Sequence, residues 1–209
     1  MTPEQLAHVV RAACRARGQR EVVIVGSQVL VGYSRTGTRA PSRAILSVEA
    51  DMYFPGSPRD TSLLEAHGYG SLFHETHGYY IDPVSELTAV LPVDWADRQM
   101  RFPIDSLVDG VAPYQAILPS IPDLIISKLA AAANDGGVQR DDLAFVRDAL
   151  AIEPVDVEML LSLADKIGDY HNDLYSSDGH PSLRDRVRDL VHVVIPDPAF
   201  TPAGRPDNF

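Results

Sequence analysis

The chain has 209 residues, 45% of them hydrophobic, so it is long enough to bury a core, and its composition argues against wholesale disorder. Its 18 basic and 29 acidic residues give a formal net charge of −11, which argues against a broad nucleic-acid-binding face but leaves room for a local basic groove. The single cysteine excludes an internal disulfide and fits a reducing cytosol, and no apolar run approaches the roughly 18 residues of a membrane span, so we expect a cytoplasmic protein with no membrane partner.

The first predicted element is a helix over residues 2–17. Thr2 suits its N-cap, Pro3 its first turn, and Gly18 its end. Its apolar residues recur at intervals of three and four, which places them on one buried face: Leu6, Val9, Val10, Ala13 and Cys14. We therefore expect the thiol of Cys14 to pack in the core rather than to act as a nucleophile.

A strand–helix–strand unit follows the first helix. The apolar run 22–25 predicts a strand, which breaks at Gly26-Ser27 into an amphipathic helix over 28–33. A polar loop over 34–43 leads to a second predicted strand over 44–54. Glycine lets the backbone approach a ligand closely, and Ser27 suits the N-cap of a helix whose free N–H groups favour phosphate. The unit thus predicts a phosphate-binding turn.

Two carboxylates, Glu49 and Asp51, lie two positions apart on the second predicted strand. Residues at that spacing project from the same face of a strand, so the two charges repel each other unless a cation lies between them. A hard divalent ion relieves the repulsion, and Mg²⁺ commonly takes one or two carboxylates together with substrate phosphates. Glu49 and Asp51 are therefore the predicted ligands of Mg²⁺, with Mn²⁺ as the other candidate.

In this order, Gly26-Ser27, a short helix and Glu49-x-Asp51 resemble the signature of the polymerase-beta-type nucleotidyltransferase superfamily. Segments 91–98 and 121–131 resemble later blocks of its small bacterial members, which are related to AbiE-type toxin nucleotidyltransferases. The resemblance covers roughly residues 5–150. It implies transfer of a nucleotide from an NTP to an RNA 3′ end, as on a tRNA, or to a protein hydroxyl. It also implies a toxin–antitoxin setting, with a cognate antitoxin or toxin as partner.

Two departures from the family pattern leave other functions open. Glu49 stands where the family usually has Asp, and the 34–43 loop lengthens the gap between Ser27 and Glu49. A longer side chain displaces a metal ligand by about one bond length, and metal sites tolerate little displacement. The alternatives are a nucleotidyltransferase-fold binding or antitoxin module that has lost catalysis, and an unrelated α+β protein.

A third carboxylate is expected on a neighbouring strand. After a short predicted helix over 59–67, residues 79–82 predict a strand that ends in Asp82. In the resembled family, an acid on a neighbouring strand often acts as general base toward the attacking hydroxyl. Capping of the next turn is the other interpretation of Asp82, and Asp105 is its rival for the catalytic role.

The middle of the chain holds three apolar runs that predict strands or their connections: 87–91, 100–104 and 114–118. Trp95, between the first two runs, is expected to be a packing anchor. Arg98 allows two interpretations, a structural salt bridge or a contact with the triphosphate of an NTP, because its planar fork suits both.

The clearest later helix spans residues 119–133, and Lys128 lies in its apolar stripe. Because burying an unpaired ammonium is costly, Lys128 must either reach solvent or meet an anion. The resemblance implies that it faces the bound nucleotide. Further helices are predicted over 139–151, 155–167 and 183–194.

Together these elements predict an α+β fold. A small mixed β-sheet with a nucleotidyltransferase core would occupy residues 1–118, and a C-terminal helical bundle residues 119–195. The proline-rich segment 196–209 is predicted to be a flexible tail.

Overall fold

The computed structural model describes residues 1–34, 42–57, 61–104, 114–134, 140–175 and 181–195. Its helices and strands alternate irregularly along the chain, and a 3-10 turn over Trp95–Arg98 lies between β3 and β4. In chain order the elements are α1 (Pro3–Arg17), β1 (Glu21–Ile24), α2 (Gln28–Tyr33), α3 (Ser42–Leu46), β2 (Glu49–Tyr53), α4 (Thr61–His67), α5 (Leu72–His77), β3 (Tyr80–Pro83), β4 (Met100–Pro103), β5 (Gln115–Leu118), α6 (Ile121–Asn134), α7 (Arg140–Ile152), α8 (Val157–Ala164), α9 (Asp169–Leu174) and α10 (Leu183–Val194).

The described strands form one mixed sheet in the order β3-β2-β1-β5-β4. β1 pairs antiparallel with β2 and parallel with β5, β2 pairs parallel with β3, and β4 pairs antiparallel with β5. The α+β prediction is confirmed. This strand order places the turn that follows β1 beside the middle of β2.

The two faces of the sheet pack against different parts of the chain. On the first face, apolar residues of β1, β2, β3 and β5 join one core cluster with α1, α2, α4 and α6; they include Val22, Ile24, Ala50, Met52, Ile81 and Ala116. On the second face, Val23, Val25, Tyr53 and Ile117 form a smaller cluster with residues of segment 84–95. The second face carries the candidate site, because Glu49 and Asp51 alternate with the buried Ala50 and Met52.

The first helix agrees closely with the prediction. The Thr2 hydroxyl accepts a hydrogen bond from the Gln5 N–H, and the Gln5 side chain accepts one from the Thr2 N–H, so both ends of a capping box are present. Gly18 ends the helix at φ +64°. Cys14 is fully buried, as expected, and burial raises the pKa of its thiol to about 12. The thiol therefore stays protonated at neutral pH.

The second strand begins later in the structure than the sequence predicts. Residues 44–46 belong to α3, and β2 starts only at Glu49. The reason lies in Gln28, which is fully buried and whose Nε2 donates to the backbone carbonyls of Ala44 (3.1 Å) and Ser47 (3.3 Å). These carbonyls therefore face α2 rather than a neighbouring strand. Residues 35–41 of the predicted loop lie outside the described residues.

Other differences concern short elements. Helices α5 and α9 were not predicted. Residues 87–91, for which a strand or a connection was predicted, are all described and form a turn-rich connection. Both ends of α5 carry ordinary signals, since the Ser71 hydroxyl accepts from the His74 N–H and Gly78 has φ +76°. Helix α8 starts at Val157 because Asp156 caps it by accepting a hydrogen bond from the Met159 N–H, and it ends at Ala164, three residues earlier than predicted.

The C-terminal helices pack on one another and on the sheet. Helix α6 contacts α7, α8 and α10, and one apolar cluster includes residues from the sheet and from these helices. The predicted boundary after Leu118 therefore falls between β5 and α6, within a continuous core. The predicted tail, 196–209, lies outside the described residues. Among the helices that the structure describes, none combines the length and apolar character that a bilayer crossing requires.

Candidate active site

Asp51 and Asp82 lie side by side on the second face of the sheet. They are register partners on the parallel strands β2 and β3, and both line a cleft of about 330 Å³. The Val25 N–H donates to the Asp51 carbonyl (3.0 Å), which extends the ladder between β1 and β2 to the turn after β1. The expectation that a third carboxylate joins Asp51 from a neighbouring strand thus has a geometric basis. Asp105, the rival residue, lies outside the described residues.

Gly26 forms the wall of this cleft next to Asp51. Its φ is +68°, and a Cβ at this position would lie 2.3 Å from Oδ2 of Asp51. A side chain would therefore both strain the backbone and displace the carboxylate. Glycine is required here because the chain turns directly over an acidic side chain.

The surroundings of Asp51 in the cleft shift the pKa of its carboxyl group. Burial raises its pKa to about 6, and the neighbouring carboxylates of Glu49 and Asp82 add to the increase. Lys128 acts in the opposite direction. Negative charge is thus concentrated where solvent is partly excluded, an arrangement that a bound cation would relieve.

Glu49 is placed at the edge of this arrangement. It shares the face of β2 with Asp51 but is exposed, and it is not among the described residues that line the cleft. Tyr80 is the register partner of Glu49 on β3, and its hydroxyl donates a hydrogen bond to Glu49 Oε2 (2.7 Å). Burial, followed by this hydrogen bond, raises the pKa of Tyr80. The sequence pattern did not single out Tyr80.

Lys128 of α6 also lines the cleft, and its charge acts on Asp51. Its Nζ donates to Oδ1 of Asp142 on α7 (2.9 Å) and lies 5.3 Å from the centre of the Phe145 ring. The sequence allowed the ammonium of Lys128 either to reach solvent or to meet an anion, and in the structure it meets the carboxylate of Asp142. An ammonium has three donors, so the pair with Asp142 leaves donors that can point into the cleft.

Two residues that the sequence suggested for nucleotide binding do not reach the cleft. Ser27 occupies the N-cap position of α2, as predicted, but its side chain makes no capping hydrogen bond to the described backbone of that helix, and Ser27 is not among the described residues that line the cleft. Arg98 is likewise not among the described lining residues. Its guanidinium donates to both carboxylate oxygens of the fully buried Asp123 (2.7 and 3.2 Å) and to Asp94 (2.8 Å). Of the two interpretations of Arg98, a structural salt bridge or a contact with a triphosphate, these contacts match the structural salt bridge.

Several lining residues were missed by the sequence argument. Ser127, Ala131 and Asn134 share the cleft with Lys128, and their spacing of four and three residues places them on one face of α6. That helical spacing could have revealed them. Thr88 and Tyr175 also line the cleft. They come from a turn and from the end of a short helix, and no local sequence pattern marks either of them.

The donor set suits a hard cation shared with a substrate. Within the described ranges, no group of three or more His, Cys, Asp or Glu side chains is arranged to hold a metal ion by itself. Asp51 and Asp82 offer two oxygen donors in a cleft that concentrates negative charge. Mg²⁺ binds in this manner where one or two carboxylates and substrate phosphates complete its coordination, so the two carboxylates are donors that fit Mg²⁺ together with a phosphate-bearing substrate.

No family model, curated protein or solved structure matches this chain.

Proposed function

We propose that the protein is a metal-dependent nucleotidyltransferase that acts in the cytoplasm. The observation that carries the proposal is the convergence of Asp51, Asp82, Gly26 and Lys128 on one cleft. Two carboxylates on adjacent strands, a glycine turn against one of them and a lysine of α6 are groups that suit the binding of a metal and a nucleoside triphosphate. The cleft volume lies within the usual range for small-molecule sites.

Each residue has a distinct role in this proposal. Mg²⁺, or Mn²⁺ in its place, would be held by Asp51 and Asp82 and would offset the charge that builds on the transferring phosphoryl group. Gly26 gives the triphosphate close access to the backbone, and Lys128 contributes positive charge. We choose Asp82 rather than Glu49 as the partner of Asp51, because Asp82 lines the cleft, whereas Glu49 is not among the described lining residues and accepts a hydrogen bond from Tyr80.

The reaction would pass a nucleotide from the NTP to a hydroxyl on an RNA 3′ end, as on a tRNA, or on a protein. Asp82 would accept the proton of the attacking hydroxyl. A toxin–antitoxin setting with a cognate protein partner is part of the same proposal.

Nucleotide transfer tests the proposal directly. Labelled NTPs are incubated with the protein, tRNA and cell extract, with Mg²⁺, with Mn²⁺ or with a chelator. We expect label to enter one fraction only when a metal is present, and Asp51→Asn and Asp82→Asn to lower the rate at least about 100-fold. Asp189→Asn, a matched change at an exposed position on α10, should retain the wild-type rate.

Calorimetric titration with NTP and Mg²⁺ separates the proposal from its alternatives. Binding that Asp51→Asn abolishes, without transfer to any acceptor, would identify a binding or antitoxin module instead. Absence of both binding and transfer would contradict a nucleotide function altogether.

A further inference from the structure

A second cleft, of about 590 Å³, lies on the same face of the sheet as the carboxylates. We refer to it as the apolar groove. Its floor is a row of register partners that crosses the sheet from β2 through β1 and β5 to β4: Tyr53, Val23, Ile117 and Arg101. Tyr53 follows Asp51 by two residues, and Ala89 lines both clefts. Because two residues of a strand span about 6.5–7 Å, an occupant of the groove lies within reach of Asp51.

The rim of the apolar groove exposes large apolar side chains. Val93 is 72% exposed, Tyr170 57% and Leu87 47%, and all three line the groove. Trp95 and Leu91 line the groove as well. Exposed apolar side chains around a cleft are characteristic of a site that a partner covers.

The charges around the groove favour a basic occupant over nucleic acid. Among the described lining residues, Arg101 is the one Lys or Arg, and its guanidinium already pairs with Glu21 at 2.6 Å. Glu86 adds an exposed carboxylate. The carboxylates of Asp51 and Asp82 lie at the adjoining cleft, and the whole chain carries a formal net charge of −11. Phosphates of RNA would meet few positive charges here, whereas a basic, apolar polypeptide would be complementary.

We propose that the apolar groove binds the acceptor of the transfer, a polypeptide segment in which a hydroxyl-bearing residue lies next to a bulky apolar residue and a basic residue. The assignment rests on the proposed transferase function. The apolar side chain enters the groove against Trp95, the basic side chain faces Glu86, and the hydroxyl reaches the carboxylate cleft. Its oxygen forms a bond to the α-phosphorus of the NTP, the bond to the β-phosphate breaks, pyrophosphate leaves, and the hydroxyl proton passes to a carboxylate.

Binding can be measured without any nucleotide, because Trp95 is the single tryptophan of the chain and lines the groove. The probe is an acetylated octapeptide of lysine, leucine and serine. We expect it to change the Trp95 fluorescence and to saturate. Peptides with alanine for leucine, or with glutamate for lysine, should bind at least about 10-fold more weakly. Equal affinity for all three peptides, or competition by single-stranded oligoadenylate at similar concentration, would overturn the proposal.

A pair of matched variants locates the binding. Val93→Glu places a charge on the rim of the groove, whereas Val193→Glu makes the same change at an exposed position of α10 that lies outside the described lining of either cleft. We expect Val93→Glu to weaken peptide binding at least about 10-fold and Val193→Glu to leave it unchanged. Leu87→Glu repeats the test at a second rim position. Wild-type affinity in both rim variants would place the peptide elsewhere and refute the assignment.

Transfer to the peptide then separates the acceptor from the chemistry. With labelled NTP and Mg²⁺, we expect the serine of the peptide to be labelled by the wild type and by Val193→Glu but not by Val93→Glu, while NTP affinity stays the same in all three. Labelling of RNA instead of peptide would overturn the acceptor assignment and leave the transferase function standing. Failure to bind or transfer NTP to any acceptor would overturn the transferase function, and the assignment of the groove as an acceptor site with it.

Discussion

The ionised carboxylate of Asp51 destabilises the folded state, although the proposed chemistry requires it as a metal ligand. Burial and two neighbouring carboxylates raise its folded-state pKa to about 6, whereas an aspartate in an unfolded chain titrates near about 4. Between about pH 4 and pH 6 the folded state therefore holds a proton that the unfolded state has lost. Stability decreases as pH rises through this window, and the loss is complete above it.

Asp51→Asn should consequently stabilise the metal-free protein at pH 7.5 by about 2–3 kcal/mol and have little effect near pH 4. Urea denaturation of the wild type and the variant in the presence of a chelator measures both values. Asp189→Asn, on the exposed surface of α10, serves as the control. A variant that is no more stable than wild type at pH 7.5 would show that Asp51 is not destabilised by its surroundings.

Gly26 makes a second prediction at the residue scale, and Gly56 provides the matched control. Both have positive φ, +68° and +71°, so alanine at either position strains the backbone by about 1–2 kcal/mol. At Gly56 no described atom lies within 4 Å of the added Cβ, whereas at Gly26 Oδ2 of Asp51 lies 2.3 Å from it. We expect Gly56→Ala to lose only the backbone contribution and Gly26→Ala about 1–3 kcal/mol more, together with NTP binding. Equal losses of unfolding free energy in denaturant would show that the turn does not press on Asp51.

At the scale of elements, Lys128 and Asp142 join α6 to α7. Their side chains are 23% and 13% exposed, so removing one partner leaves the other charge poorly solvated. We expect Lys128→Met and Asp142→Asn each to cost about 1–3 kcal/mol, and the double variant to cost at least about 1 kcal/mol less than their sum. Denaturant titrations of the four proteins give the coupling energy.

The pair formed by Arg188 and Asp165 provides the comparison for that cycle. It also joins two elements, but its side chains are 39% and 60% exposed. Solvent screens such a pair, so its coupling should stay below about 1 kcal/mol. Similar coupling in both pairs would mean that burial does not strengthen the link between α6 and α7.

At the scale of the whole molecule, the sheet and the C-terminal helices share one core cluster, and Arg98 ties the 3-10 turn to the buried Asp123 at the start of α6. We therefore expect a single unfolding transition in urea. Trp95 fluorescence, which reports on the second face of the sheet, and far-UV circular dichroism should give the same midpoint. Arg98→Met, which leaves a buried carboxylate without its guanidinium, should lower both midpoints together. Separate transitions would support two independent domains that divide near residue 118.

Local patterns in the sequence determined the elements whose signals lie within a few residues. The predictions for the Thr2 cap and the terminal glycine of α1, the apolar strand β1, the alternation around Asp51 and the apolar stripe of α6 all matched the structure. They could be predicted because caps and amphipathic periodicity act over one or two turns or across a single strand. The same alternation correctly placed Glu49 and Asp51 on one face.

Contacts between distant residues decided the rest. Pairing of β2 with β3 set Asp82 beside Asp51, while Tyr80 drew Glu49 to the edge and Asp123 drew Arg98 away from the cleft. Gln28 turned residues 44–47 into a helical connection where the apolar composition suggested a strand. The sequence alone determined which residue types were present and how each short segment would fold. Strand register and buried hydrogen bonds decided which of them meet, because partners separated by tens of residues leave no periodic trace along the chain.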